Sequence, residues 1–348
     1  MNYIKMENRF NEYENKGLSG LANLGNTCFL NSCMQVLSHT YELNSFLNLP
    51  YKEKLNKNKC ESKLLLEWDE LRQLLWKENC IISPFKFVKT VQEIARTKNQ
   101  ELFTGFSQND LPEFLIFVID CFHNALSREV VMKIHGTVMN EKDKIAVCCF
   151  ERIKQMYSKD YSEIWNLFYG IQISQLTSLD TNDTISITPE PYFILNLPIP
   201  SENKSPSLLD CLDLYVDGEI MDGDNCVLNE KTGKKEAVRK HLSFWSFPTV
   251  LVIDIKRFNY MNRKNQILVD FPEELDLSKY VCGYNKDSYI YDLYAVCNHS
   301  GGVLGGHYTC FVKNANNKWY HFNDTSVAEV QSSQIISPKA YCFFYRKR

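Results

Sequence analysis

The sequence has no run of 18 or more apolar residues, so nothing in it reads as a membrane-spanning helix. It has no C-x-x-C pair, which leaves it without the usual spacing of a thiolate metal site or a redox pair. It has no excess of one charge: the formal net charge of −3 argues against a general affinity for nucleic acid or an anionic membrane. Internal repeats and low-complexity tracts are also missing. The polar, charged start (MNYIKMENRFNEYENKG) lacks an apolar core, so no secretory leader is expected and the protein is expected inside the cell, in cytoplasm or nucleus.

What is present is a globular composition. A length of 348 residues suits one large domain or two ordinary ones, and 44% hydrophobic with 13% aromatic residues excludes disorder. The 13 cysteines are odd in number and scattered, mostly within apolar runs such as CCFERI, DCFHNAL and YCFFY. That pattern reads as reduced, buried thiols rather than a disulfide frame, and Cys33, Cys121, Cys148, Cys149 and Cys342 are assigned to the core.

From Gly17 to about Leu126 the apolar period is helical. A helix capped by Asn26 or Thr27 runs from Cys28 through Leu30, Met34 and Leu37. A second carries Leu64, Trp68, Leu71 and Leu75 on one face. Ser83-Pro84 opens a third, and Ser107 a fourth in which Leu111, Phe114, Leu115, Val118 and Phe122 face inward. Residues 128–170 also read as helical. After Gly170 the runs YFILNLPIP, TVLVIDIKRF, YDLYAVCNHS, HYTCFVKN, KWYHFND and AYCFFYRK have strand length and strand composition, with turn signals at Asp222-Gly223, Thr232-Gly233 and Gly301-Gly302. Helices first and an antiparallel sheet later is an α+β order.

Cys28 stands behind GLANLGNT at the mouth of a helix, where it is a small buried hydrophobe, a disulfide half, a metal ligand or a nucleophile. The dipole of the helix start would lower its pKa toward the reactive thiolate. A nucleophilic thiol needs a base, and the base needs an orienting partner. His39, His123, His135, His241 and His321 have ordinary surroundings, and His299 lies at a strand end in NHSGG. His307 differs, because two glycines precede it and a hairpin of the length HYTCFVKNANNKWYHFND returns Asn323 and Asp324 to its side. Cys-His-Asn is an acyl-transfer arrangement in which the amide oxygen fixes the imidazole tautomer. Successive strand residues face opposite ways, so Asn323 and Asp324 are alternatives for that role. Asn23, on the loop before Cys28, is placed to donate to an oxyanion, with a plain turn asparagine as the equal alternative.

These stretches resemble the ubiquitin-specific protease family. GLANLGNTCFLNSCMQVL is similar to its Cys box, GGVLGGHYTCFVKNANNKWYHFNDTSVAEV to its His box, and AYCFFYRKR to its closing strand. GFSQNDLPEFLIFVIDCFHNAL resembles its Gln-x-Asp-x-x-Glu-Phe helix, and EPYFILNLPIP and FPTVLVIDIKRF its middle strands. The resemblance implies a papain-like α+β hand: a flexible arm over 1–16, a helical thumb over about 17–165, then β-strand fingers and a β-sheet palm over about 166–348. It implies a deubiquitinating thiol hydrolase with Cys28 as nucleophile, His307 as base, Asn23 as oxyanion donor and Asn323, with Asp324 beside it, as orienter. It implies that Gln108, Asp110 and Glu113 hold the basic, Gly-Gly-ended tail of ubiquitin, with Phe271 and Tyr308 lining its slot. The partners implied are ubiquitin, ubiquitinated proteins and ubiquitin chains, acted on by a monomer without nucleic acid, membrane or cofactor.

Two departures from the family pattern stand out. Most members carry zinc on two C-x-x-C pairs, which here fall at Leu179 and Asn182, then Cys226 and Asn229; one thiolate cannot make a tetrahedral site, so no metal is expected. Pro112 fits only a helix that begins close to it. The remaining alternatives are a protease for another ubiquitin-like modifier and a catalytically silent ubiquitin-binding protein.

Overall fold

The computed structural model describes residues 10–348 except 203, 231, 303 and 304, so the first nine residues of the expected arm lie outside it. The described helices, numbered in chain order, are α1 (Cys28–Ser38), α2 (Tyr41–Leu47), α3 (Glu61–Lys77), α4 (Phe85–Thr97), α5 (Leu111–Leu126), α6 (Glu141–Tyr157), α7 (Glu163–Phe168) and α8 (Leu208–Val216). None is long and apolar enough to cross a membrane.

Helix α1 is buried at every position, wedged between α5 and the main sheet. Its polar residues therefore need internal partners: Gln35 donates to the Ser19 carbonyl at 2.7 Å, and Asn31 donates to Asp324 at 2.8 Å. Helix α5 begins at Leu111, later than Ser107, because the Asp110 carboxylate caps it by accepting the Glu113 N–H. Pro112 then falls in the first turn, where its missing N–H costs nothing; an interior proline would cost about 3 kcal/mol. Pro84, not Ser83, is the residue preceding α4, and it makes no side-chain cap.

The described strands, also numbered in chain order, form four sheets. A short parallel pair, β1 (Gly20–Leu21) and β2 (Ile81–Ile82), anchors the Cys28 loop. The fingers are β3 (Gly170–Ser178), β4 (Thr184–Tyr192), β6 (Glu219–Met221) and β9 (Val238–Ser246) in the order β4-β3-β9-β6, beside the hairpin β7 (Val227–Asn229) and β8 (Lys234–Glu236). The palm follows β15 (Ser326–Val330), β14 (Trp319–Asn323), β13 (Gly305–Lys313), β12 (Ile290–Gly302), β16 (Ala340–Lys347), β10 (Val250–Ile255) and β5 (Ile194–Leu197), with β11 (Glu274–Asp276) on the side of β12. It is mixed rather than purely antiparallel, since β5 and β10 run parallel.

The stretches AYCFFY and VLVI are continuously apolar because both palm faces are covered. Val250, Val252, Cys342 and Phe344 face the thumb core, while Leu251, Ile253, Phe343 and Tyr345 face a second core under α8. All 13 cysteines are free thiols.

Residues 10–16, expected to be part of a flexible arm, are fastened down. Tyr13 is 6% exposed and stacks on Tyr41 with ring centroids 4.5 Å apart. The Asn15 N–H donates to Asn314 at 3.0 Å, Asn314 donates to the Lys16 carbonyl at 2.9 Å, and Asn316 donates to the Asn15 side chain at 2.7 Å.

Candidate active site

The loop before α1 is shaped by Asn23. Its side-chain oxygen accepts the N–H groups of Gly25 (3.0 Å) and Thr27 (3.1 Å), a side-chain-closed turn that sends Gly25 and Asn26 into positive φ. Asn26 donates to the Phe106 carbonyl at 2.9 Å, which ties this loop to the segment before α5. Cys28 is thereby the first helical residue, 3% exposed, at the mouth of the cleft between thumb and palm. Burial pushes its thiol pKa up, against the pull of the nearby Tyr308 backbone; the Asp324 charge pushes it further up, and the backbone at Phe29 and Cys28 pulls it down. The expectation that the helix start would lower this pKa is corrected, because desolvation of the thiolate outweighs the amides.

His307 lies on β13, one residue before Tyr308. Its Nε2 is 2.7 Å from the Asn323 side-chain oxygen. An amide oxygen only accepts, so Nε2 carries the proton and Nδ1 keeps the lone pair. β14 ends at Asn323, and Asp324 turns away with φ +48°. The Asp324 carboxylate accepts from Asn23 Nδ2 (2.9 Å) and Asn31 Nδ2 (2.8 Å), and its carbonyl accepts the Leu21 N–H (2.9 Å). Asn323 faces the imidazole; Asp324 clamps the loop before Cys28 and α1. Asn23 is thus both a turn residue and an amide held by Asp324, with its second N–H making no hydrogen bond among the described residues.

The segment before α5 forms the opposite wall. Gln108 Nε2 donates to the Gly306 carbonyl at 2.8 Å and its Oε1 accepts the Gly306 N–H at 2.7 Å. Asp110, expected to meet basic groups of a tail, instead accepts the hydroxyls of Tyr308 and Tyr341, both at 3.0 Å. Burial pushes its carboxyl pKa up, and the residue is half-buried at the cleft with its carboxylate turned to these hydroxyls. Glu113 is exposed on the first turn of α5. Phe271 does not reach the cleft: it is 4% exposed in the second core, 4.7 Å from the ring of Phe343. Tyr308 lines the cleft, together with Phe29, Asn109, Phe258, Asn262 and His299. Of these, His299 carried a motif signal without a role, and Phe258 carried none beyond its place at a strand end. Asn31 was also missed, although an asparagine three residues into a buried apolar helix is itself a sign of a paired polar group.

The four positions at which the family pattern would place zinc ligands do not suit a metal. Leu179 has no ligand atom, Asn182 sits in a positive-φ turn, and Asn229 donates to Glu236 at 3.0 Å, where Thr232 also donates at 2.7 Å. Among the described residues no group of three or more His, Cys, Asp or Glu side chains is placed to hold a metal ion.

The family model for ubiquitin carboxyl-terminal hydrolases matches residues 19–345. The chain is 33% identical over 344 residues to ubiquitin carboxyl-terminal hydrolase 2 of Bos taurus, across 95% of this chain and 55% of that protein. It is 34% identical over 345 residues to the Gallus gallus protein of the same name, across 95% of this chain and 93% of that protein. It thus spans about half the length of the mammalian relatives it matches. In fold it is similar to the SAGA Ubp8/Sgf11/Sus1/Sgf73 DUB module bound to ubiquitin aldehyde, with a TM-score of 0.73 at 23% identity, over 97% of this chain and 70% of that chain.

Proposed function

The chain belongs to the ubiquitin carboxyl-terminal hydrolase family, and from that premise we propose that it is a cysteine-type deubiquitinase. It hydrolyses the isopeptide or peptide bond after the C-terminal Gly-Gly of ubiquitin, inside the cell, as a monomer that uses no cofactor. The observation that carries this reading is the convergence of three segments far apart in sequence on one cleft. Cys28 heads α1 and lines the cleft together with Tyr308 and the Gln108–Asp110 segment, and His307, the neighbour of Tyr308, is held by Asn323 at 2.7 Å.

In this mechanism the resting thiol is neutral, as its burial requires. Nδ1 of His307 takes the thiol proton as sulfur attacks the carbonyl carbon of the last glycine. The second N–H of Asn23 donates to the oxyanion of the tetrahedral intermediate, its direction fixed by Asp324 and by the turn. The C–N bond breaks and the amine leaves with the proton from His307. Water then attacks the thioester, His307 accepts its proton, and the Cys28 thiolate departs. Asn323 keeps the imidazole in the Nε2–H tautomer throughout. The ubiquitin tail enters the cleft lined by Phe29, Gln108, His299 and Tyr308, with Glu113 at the rim for a tail arginine.

The test is turnover of a ubiquitin–fluorophore amide by the purified chain, run beside the same fluorophore on other ubiquitin-like modifiers. Cleavage of the ubiquitin substrate is expected. Preference for another modifier would move the substrate, and binding without turnover would make the protein a silent binder.

A further inference from the structure

Lys264, after the Phe258–Lys264 bridge that closes a loop at the cleft rim, directs its ammonium at His299. Nζ is 2.5 Å from the His299 carbonyl oxygen and 3.1 Å from His299 Nδ1. A lysine ammonium has three donors and no lone pair, so Nδ1 is the acceptor and the ring proton sits on Nε2. We propose that Lys264 is a positioning residue which locks His299 in the Nε2–H tautomer, so that the ring offers a fixed donor to a backbone carbonyl of the substrate's glycine tail. This rests on the reading of the cleft as the slot for that tail.

Three further features place the donor there. The His299 ring lines the cleft, 4.6 Å from the ring of Tyr308, with Phe258 and Tyr341 at 5.9 and 5.7 Å. Its Nε2 edge lies against the bare Cα of Gly306: a Cβ there would collide with Nε2 and meet the Ser300 carbonyl at 2.6 Å, so this wall requires glycine. The N–H and C=O of Gly306 are themselves both taken by Gln108, so an extended tail passing this point cannot pair with them. Among the described residues the ring of His299 makes no other hydrogen bond, and Nε2–H is the donor this stretch of wall retains.

The charge states agree. Burial pulls His299 down to about 4, with the Lys264 charge adding to it, so the ring is neutral at neutral pH. Burial also pulls Lys264 down to about 8, helped by the charges of Arg257 and Lys339, and leaves it an ammonium at pH 7.

Two readouts test this, one independent of activity. In ¹⁵N-histidine-labelled wild-type protein at pH 7, the nitrogen signals of His299 should be those of an imidazole protonated at Nε2 alone, and Lys264→Met should mix the two tautomers while Lys264→Arg restores the single one. A wild-type ring protonated at Nδ1 would overturn the lock. On ubiquitin–fluorophore turnover, His299→Phe keeps the ring but not the donor and should raise KM about tenfold with kcat within about threefold, the pattern of uniform binding lost. Lys264→Met should raise KM less, and adding it to His299→Phe should raise KM no further. A folded His299→Phe enzyme with wild-type KM overturns the donor role. Failure of the parent function would show instead as wild-type protein that turns over no ubiquitin substrate, with the tautomer result unaffected.

Discussion

The side-chain oxygen of Asn323 lies 2.7 Å from Nε2 of His307, and Asp324, the next residue, points its carboxylate the other way, at Asn23 and Asn31. Asn323 holds the His307 imidazole, and Asp324 holds the loop that leads into Cys28. The two neighbours therefore predict different mutants. Asn323→Ala should lose most of kcat and Asn323→Asp should keep much of it, since either oxygen can accept the ring N–H. Asp324→Ala should cost less in kcat but more in melting temperature, because it releases two amides on the thumb. Kinetics and thermal unfolding of the three variants check this; the opposite ranking in kcat would transfer the orienting role to Asp324.

Asn23→Ala should lower kcat on the order of 10²-fold, the usual loss for one oxyanion donor. Ubiquitin affinity, measured on an inactive Cys28→Ala background, should stay near that of Cys28→Ala alone. An unchanged kcat would leave Asn23 with only the turn that its side-chain oxygen closes with Gly25 and Thr27.

The fingers should hold no zinc. Elemental analysis of purified protein should find far less than one zinc per chain, and a chelator should leave the melting temperature where it was. The corner around Glu236, which accepts from Asn229 and Thr232, then depends on hydrogen bonds, and Glu236→Ala should lower the melting temperature. Stoichiometric zinc would mean that other residues coordinate it.

Asp254, 4% exposed on β10, carries a pH signature. Burial first and the nearby Asp110 charge second raise its pKa well above the usual carboxylate range. A group whose folded pKa is raised contributes stability that is fully present below its unfolded pKa, near 4, and is lost as pH rises through the folded value. Asp254→Asn is neutral at every pH and can still accept from Asn196, which donates to Asp254 at 2.9 Å. The melting temperature of Asp254→Asn should therefore gain on wild type as pH rises from 5 to 9. A difference independent of pH would show that Asp254 ionises without penalty.

Much of this was legible locally. The faces of α1, α3 and α5 follow from helical spacing, and the palm strands from runs that are apolar because both sheet faces are covered. Cys28 and His307 stood out by sequence context, and hairpin length brought Asn323 and Asp324 to the side of His307 without choosing between them. What local pattern could not give were ties between segments far apart in the chain. The arm is held by Asn15 and Asn314, 299 positions apart, and nothing near either residue announces the other. Asp110 was expected to hold a basic tail, and its tyrosine partners, 198 and 231 residues away, were not visible from its local sequence. Phe271 matched a family position, but a matched position does not specify depth, and its ring is in the second core. The thiol pKa went astray for an energetic reason: the helix start was visible in the sequence, whereas the burial that outweighs it was not.

The most direct test is which thiol reacts with an electrophilic ubiquitin probe. Wild-type protein should form one covalent adduct with ubiquitin–propargylamide, mapped by peptide mass to Cys28. Cys28→Ala should fold and form none, and Cys33→Ala, five residues along the same helix, should react at close to the wild-type rate. An adduct that persists in Cys28→Ala, or that maps to another cysteine in the wild type, would contradict the assignment of Cys28 as the nucleophile.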